Sequence, residues 1–257
     1  MLKKICVITG GANGIGRCLV ETFVAHSEHV AFIDKDKKAG EKLAGQLGDR
    51  VTFMHGDIAD ETMLGIFAKY VIDRFGSIDC LINNAAVSHK GILSDCSFSD
   101  FSHALRVGVV APYMLAKLFR DHFAPGASII NISSTRAFMS SADTESYSAA
   151  KGAINALTHA LAVSLAGRAR VNSISPGWID TSRYRFPSTE PVHPDQDRRQ
   201  HPARRVGKPE DIAELALFLS KEKAGFITGQ NFTVDGGMTV QMIYHDEDGW
   251  SFNPDSV

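Results

Sequence analysis

Short β-branched runs alternate along this chain with longer amphipathic stretches, and that alternation limits the folds open to it more than any other feature. The candidate strands are KKICVI, HVAFID, VTFMH, DCLIN, ASIINI, RVNSI and NFTVD, and the helical patterns begin near Ile15, Asp36, Asp60, Phe98, Ser146 and Pro209. Strands that alternate with helical crossovers build βαβ units, hence a parallel sheet with helices on both faces. No repeat of roughly 20–50 residues and no low-complexity linker interrupts the chain, so the reading is one domain over 1–257.

Two segments break the rhythm. Thr181 to Gly207 holds six arginines and four prolines and reads as a long irregular loop with room for a short helix. Loops of that length in compact domains are commonly lids or mobile functional segments. The tail over 238–257 extends past the last strand; its apolar half is expected to dock on the body or a neighbouring subunit, and its acidic half to be solvated.

Composition removes several function classes. The formal net charge is -2, which gives no general attraction to nucleic acid or to an anionic membrane. No apolar run approaches the ~20 residues that span a bilayer, and LKKICVIT enters a glycine-rich turn without the apolar core of a signal peptide. The expected location is the cytoplasm. Cys6, Cys18, Cys80 and Cys96 show no metal-ligand spacing and are read as reduced, mostly packed thiols. The ten histidines include no HExxH, and no metal is expected.

The polar motifs all fall where predicted strands end. The first strand empties into TGGANGIG, which spaces Gly10, Gly14 and Gly16 as G-x-x-x-G-x-G. Glycine there permits a tight turn and lets a diphosphate reach the backbone N–H groups of the following helix. The spacing is neither G-x-G-x-x-G nor a P-loop, and taken alone it is equally a plain β–α turn. The second strand ends in Asp34, twenty residues after Gly14, a position from which a carboxylate accepts from adenosine ribose hydroxyls. Asp57, in GDIAD, meets the adenine amino group or caps the next helix. NNAA, NISST and SISPGW close strands four, five and six. In an open parallel sheet, ligands bind outside the carboxyl ends of the strands. One more stretch, SYSAAK, sets Tyr147 four residues before Lys151, on one helix face. A tyrosine of pKa about 10 is a poor base at neutral pH, and a nearby cation favours its phenolate. By itself the pair reads more readily as an ordinary surface pair.

Assembled in order, these residues resemble the short-chain dehydrogenase/reductase family along nearly the whole chain. The marks are Thr9-Gly10-xxx-Gly14-x-Gly16, Asn83-Asn84-Ala85-Ala86, Ser134 thirteen residues before Tyr147, Tyr147-xxx-Lys151, Pro176-Gly177-xxx-Thr181 and the closing VDGG. The resemblance implies an α/β fold: a single-domain Rossmann fold with a doubly wound seven-stranded parallel sheet, assembled as a homotetramer or homodimer. It also implies NAD(H)-linked hydride transfer with a small alcohol or carbonyl substrate. Tyr147 would then be the general acid/base, Lys151 would lower its pKa and hold the nicotinamide ribose, and Ser134 would orient the reacting oxygen. Asn13, Ile15 and Gly16 would meet the diphosphate, Asp34 the ribose, and Asp57 and Ile58 the adenine. Asn84 and Ala85 would meet the central cofactor, while Pro176, Gly177, Ile179 and Thr181 would frame the nicotinamide.

Asp34, together with Asn13 in place of a basic residue, points to NAD over NADP, although Lys35 stands within reach of a phosphate. The substrate walls are expected from Ser88, His89, Arg136, Met139, Trp178 and the arginine-rich loop. One family mark is missing: the usual asparagine of the fourth helix is Gly108, in RVGVVAP. The expectation is that glycine leaves room for an ordered water there. The alternative is a catalytically impaired dinucleotide-binding regulator or scaffold.

Overall fold

A computed structural model describes residues 4–26 and 28–242. Seven strands form one parallel sheet: β1 Ile5–Thr9, β2 His29–Asp34, β3 Val51–His55, β4 Ile78–Asn83, β5 Phe123–Ile132, β6 Ala169–Pro176 and β7 Asn231–Val234. Their order is β3-β2-β1-β4-β5-β6-β7. The chain therefore winds outward from β1 in one direction, returns, and winds outward from β4 in the other. Register places Thr9 of β1 beside Ile33 of β2 and Asn83 of β4, so the carboxyl ends of the central strands are level. Between β1 and β4 the winding reverses, and a crevice opens above that point.

The helices between the strands are α1 Gly14–Ala25, α2 Lys37–Leu47, α3 Glu61–Phe75, α4 Phe98–Leu105, α5 Ala111–Phe119, α6 Glu145–Ser164, α7 Asp195–Arg199 and α8 Pro209–Ser220. Period-two alternation sorts them onto the two faces. In β1, Cys6 and Ile8 join the core packed by α1, α2 and α8, while Ile5 and Val7 join the core packed by α3, α5 and α6. Phe23 and Phe32 anchor the first core and Phe67 and Phe119 the second, all fully buried. Each such side chain contributes on the order of 1.5–3 kcal/mol of burial energy.

Helix starts follow local chemistry. Asp36 accepts from the Ala39 N–H at 3.0 Å, and Asp60 from the Thr62 N–H at 2.8 Å. Ser97 and Asp100 bond reciprocally at the head of α4. At the head of α1, by contrast, Asn13 makes no side-chain cap.

The fourth helical pattern, read as one helix from Phe98, is interrupted. Arg106–Val110 is a π turn between α4 and α5, closed by the Ala111 N–H donating to the Arg106 carbonyl five residues back. The proximate reason is Pro112, which has no N–H to offer the Gly108 carbonyl four residues earlier. Of the C-terminal tail, the described part holds a 3-10 turn at Met238–Val240; the remainder lies outside the described residues.

Candidate active site

The site grows out of the turn after β1. A Cβ on Gly16 would lie 1.8 Å from the Gly10 carbonyl oxygen, so the turn closes only around glycine. The neighbouring β4 end is tied to it. Thr9 Oγ1 accepts from the Asn84 and Ala85 N–H groups at 3.1 and 3.2 Å, and the Asn84 amide donates to the Thr9 and Gly10 carbonyls. This clamp fixes the glycine turn against β4. The uncapped N–H groups of α1 meanwhile face the crevice, with the positive end of the helix dipole behind them.

A cavity of about 610 Å³ occupies the crevice. It is lined by Gly10, Asn13, Ile15, Gly16, Asp34, Asp57, Ile58, Asn84, Ala85, Tyr147 and Thr181. A second cavity of about 230 Å³ shares Ile15, Asn84 and Tyr147 with it and adds Ser134, Lys151, Pro176, Gly177 and Ile179. Gly14 lines neither, but it turns directly beneath the Thr181 side chain. The tyrosine–lysine pair, the serine and the strand-end motifs thus meet around two adjoining cavities with shared walls.

Local contacts fix several of these groups. Both Asp34 carboxylate oxygens accept backbone hydrogen bonds, from Ala12 N–H and Asp36 N–H at 2.9 Å each. The Asn13 amide donates to Asp36 at 3.0 Å. Asp57 accepts from the Ala59 N–H at 2.9 Å, while the capping of α3 belongs to Asp60.

Tyr147 and Lys151 lie in the first turns of α6. The lysine is buried, its Nζ donating to the Ile132 carbonyl at 2.6 Å and lying 5.4 Å from the Tyr147 ring centroid. Burial pulls its pKa down to about 8. Burial likewise raises the Tyr147 phenol, against the hydrogen bond of Ser134 and the positive charge of Arg136, which lower it. The Ser134 hydrogen bond and the Arg136 charge thus oppose the effect of burial on the phenol, while the Lys151 ammonium beside the ring is held on the Ile132 carbonyl.

Gly108 corrects the expectation of open space. It is buried, and a Cβ there would stand 2.9 Å from the Ala150 Cβ, next to Lys151 on α6. The room beside the helix is taken by α6 itself. The individual residues expected to wall the substrate lie outside the lining of these two cavities. Ser88, His89, Arg136 and Met139 line neither cavity. Trp178 packs edge-to-face with His193, ring centroids 5.8 Å apart, and borders a separate space of about 280 Å³ with Arg205 and Asp235.

The segment from Thr181 to Gly207 contains the short helix α7 and is clasped at its base. Ile179 bridges Gly207 in parallel, and His193 bonds Asp180 at 2.8 Å. Among the cavity-lining residues that sequence reasoning does not reach are His103 and Arg185, beside apolar ones such as Val87 and Val107. His103 belongs to no motif, its ring nitrogen lying 2.7 Å from that of His89. Arg185 was counted only among the loop's arginines. Among the described residues no His, Cys, Asp and Glu cluster could hold a metal ion, and no helix is long and apolar enough to cross a membrane. Cys6, Cys18 and Cys80 are buried free thiols.

Comparison with known proteins bears on this geometry. The family model described as enoyl-(acyl carrier protein) reductase matches residues 10–239. An uncharacterized oxidoreductase of Thermotoga maritima is 44% identical, over 95% of this chain and 98% of its own. An apo SCOR enzyme from Clostridium thermocellum superposes with a TM-score of 0.90 at 41% identity, covering 98% of this chain and 99% of that one. Two similar structures were solved with cofactors. A 3-ketoacyl-(acyl-carrier-protein) reductase from Brucella melitensis carries NADH (TM-score 0.83, 30% identity, 93% and 100% coverage). A blue fluorescent protein from a metagenomic library carries NADPH (TM-score 0.83, 28% identity, 91% and 97% coverage).

Proposed function

The chain belongs to the short-chain dehydrogenase/reductase family, and from that premise we propose that it is an NAD-dependent oxidoreductase acting on the alcohol or carbonyl group of a small molecule. The observation that carries this reading is the convergence of Ser134, Tyr147 and Lys151 on the cavity that adjoins the one above the glycine turn. Together the two cavities fit a dinucleotide. The larger has the volume of a ligand pocket, uncapped helix N–H groups stand at one point, and a backbone-anchored carboxylate stands at another.

When bound, nicotinamide supplies or accepts the hydride. The chain's own residues handle the proton and the geometry. Tyr147 takes the hydroxyl proton during oxidation, or returns it during reduction, at the substrate oxygen. Ser134 donates to that oxygen and orients it. Lys151, held on the Ile132 carbonyl, keeps two ammonium hydrogens for the ribose hydroxyls. Asp34 accepts from the adenosine ribose and disfavours a 2′-phosphate, which supports NAD as the cofactor. Asp57 and Ile58 border the adenine; Asn13, Ile15 and Gly16 border the diphosphate; Pro176, Gly177, Ile179 and Thr181 border the nicotinamide.

The same reading makes 181–207 a lid, so cofactor binding should slow its hydrogen exchange; unchanged protection would reduce it to a connector. It also carries a homodimer or homotetramer, which sedimentation measures, and a cytoplasmic location. The decisive experiment is NADH formation over a panel of secondary alcohols, repeated with Tyr147→Phe. The expected result is turnover by the wild type and its loss, by a factor of roughly 10² or more, in the variant. Wild-type protein that binds NAD yet turns over nothing would favour a dinucleotide-binding regulator.

A further inference from the structure

The arginine-rich segment contains one guanidinium that its own carboxylates do not occupy and that the cofactor cavity receives. Arg183 pairs with Glu190, Arg198 with Asp195 and Arg205 with Asp211. Arg185, Arg199 and Arg204 have no carboxylate within ion-pair distance among the described residues, and of these three it is Arg185 that lines the 610 Å³ cavity.

The neighbours of Arg185 explain its direction. It follows the 3-10 turn Ser182–Tyr184 with an extended backbone, at φ −104° and ψ 164°, between two aromatic residues that are themselves held. Tyr184 donates to Glu210 at 2.9 Å, and the Phe186 ring lies 4.0 Å from the Arg17 guanidinium and 4.3 Å from the Lys42 ammonium. Both aromatics pack on the core of α1 and α8. With two anchors directed into the body, Arg185 is turned out over the crevice. Its Nε donates to Thr181 Oγ1 at 3.1 Å. Thr181 in turn stands 3.5 Å from the point where a Cβ on Gly14 would sit. The guanidinium is thereby tethered on the lid side of the glycine turn, and its terminal N–H groups have no hydrogen-bond partner among the described residues.

We propose that Arg185 is a positioning residue that clamps the cofactor's diphosphate from the lid side, opposite the α1 N–H groups. The inference rests on the cavity's being a dinucleotide site. A planar fork of N–H donors matches two phosphate oxygens, and a charge-assisted pair of that kind is among the stronger hydrogen-bond arrangements. Through Arg185, occupancy of the diphosphate site is coupled to the start of the lid.

Calorimetric titration of the full chain with ADP, adenosine, NADH and NADPH tests this for wild type, Arg185→Leu and Arg185→Lys. Arg185 is exposed, and thermal melts verify that both variants fold. Arg185→Leu should raise the Kd for ADP and for NADH about ten-fold and leave adenosine within two-fold, with Arg185→Lys between. Equal effects on ADP and adenosine, or none on either, would overturn the clamp. An effect confined to NADPH would do so too, by assigning the arginine to a 2′-phosphate. Failure of the wild type to bind ADP or NADH at all would instead overturn the cofactor reading beneath it.

Discussion

Tyr147 is pulled in two directions, and the balance is set by single residues. Burial opposes its ionisation, while the Ser134 hydrogen bond and the Arg136 charge favour it. Arg136 forms no ion pair among the described residues, and its backbone N–H is held by Ser134 Oγ at 3.1 Å, so its turn is fixed beside the serine. Alcohol oxidation requires the phenolate, so its rate rises with pH through the phenol's pKa. Arg136→Leu removes one of the lowering influences, and the midpoint of the kcat/KM profile for oxidation should move to higher pH. Below that midpoint the variant should be slower; well above it the two rates should converge. A profile that stays in place would mean that the guanidinium's charge does not reach the phenol. Lys151 is brought down to about 8 by burial, and contact with hydroxyl acceptors of a bound ribose would favour its charged form.

At the scale of elements, the contact between the π turn Arg106–Val110 and α6 governs the site's rigidity. Gly108 meets Ala150 so closely that one added methyl would overlap it, and Ala150 lies between Tyr147 and Lys151 on the same helix. Overpacking of this kind costs about 1–3 kcal/mol. Gly108→Ala should lose about that much stability in urea denaturation and lower kcat by displacing α6, with NAD affinity nearly unchanged. Gly108→Asn, a restoration of the family's residue, should be worse because it adds more atoms to the same gap. Ala150→Gly should cost roughly 0.5–1 kcal/mol by itself yet recover part of the loss in the double variant, a coupling expected only if the two residues touch. Strictly additive effects would remove the contact as the cause.

The whole molecule decides which cofactor enters. Strand order sets β2 beside β1, so the Asp34 carboxylate stands next to the glycine turn, and its backbone bonds to Ala12 and Asp36 keep it there. Like charges ~4 Å apart repel by roughly 4 kcal/mol at an effective dielectric of about 20, before relaxation. Lys35 lines the same cavity and offsets part of that. Discrimination should settle at about 1–3 kcal/mol in favour of NAD, or roughly 5- to 150-fold in Kd. Paired titrations with NAD and NADP measure it, and equal or tighter binding of NADP would assign the pocket to Lys35 and Arg185 instead.

Much of this was legible in the residues themselves. Alternating β-branched and amphipathic segments determined a parallel sheet, since a strand buried on both faces must be apolar throughout and each crossover needs a helix. Glycine spacing, strand-end polar clusters and the Tyr147–Lys151 interval followed from local chemistry, and the structure gathers them at one sheet edge. Tertiary structure alone decided the rest. The π turn follows from Pro112, a local feature, but its packing against α6 is one that no helical period records. The space at Gly108 is filled by a residue forty-two positions away in sequence. Arg185 differs from the other arginines of its loop because Tyr184 and Phe186 find anchors on distant helices. Charge and size are properties of a residue, but which neighbour neutralises a charge or occupies a gap is settled only when the chain is folded.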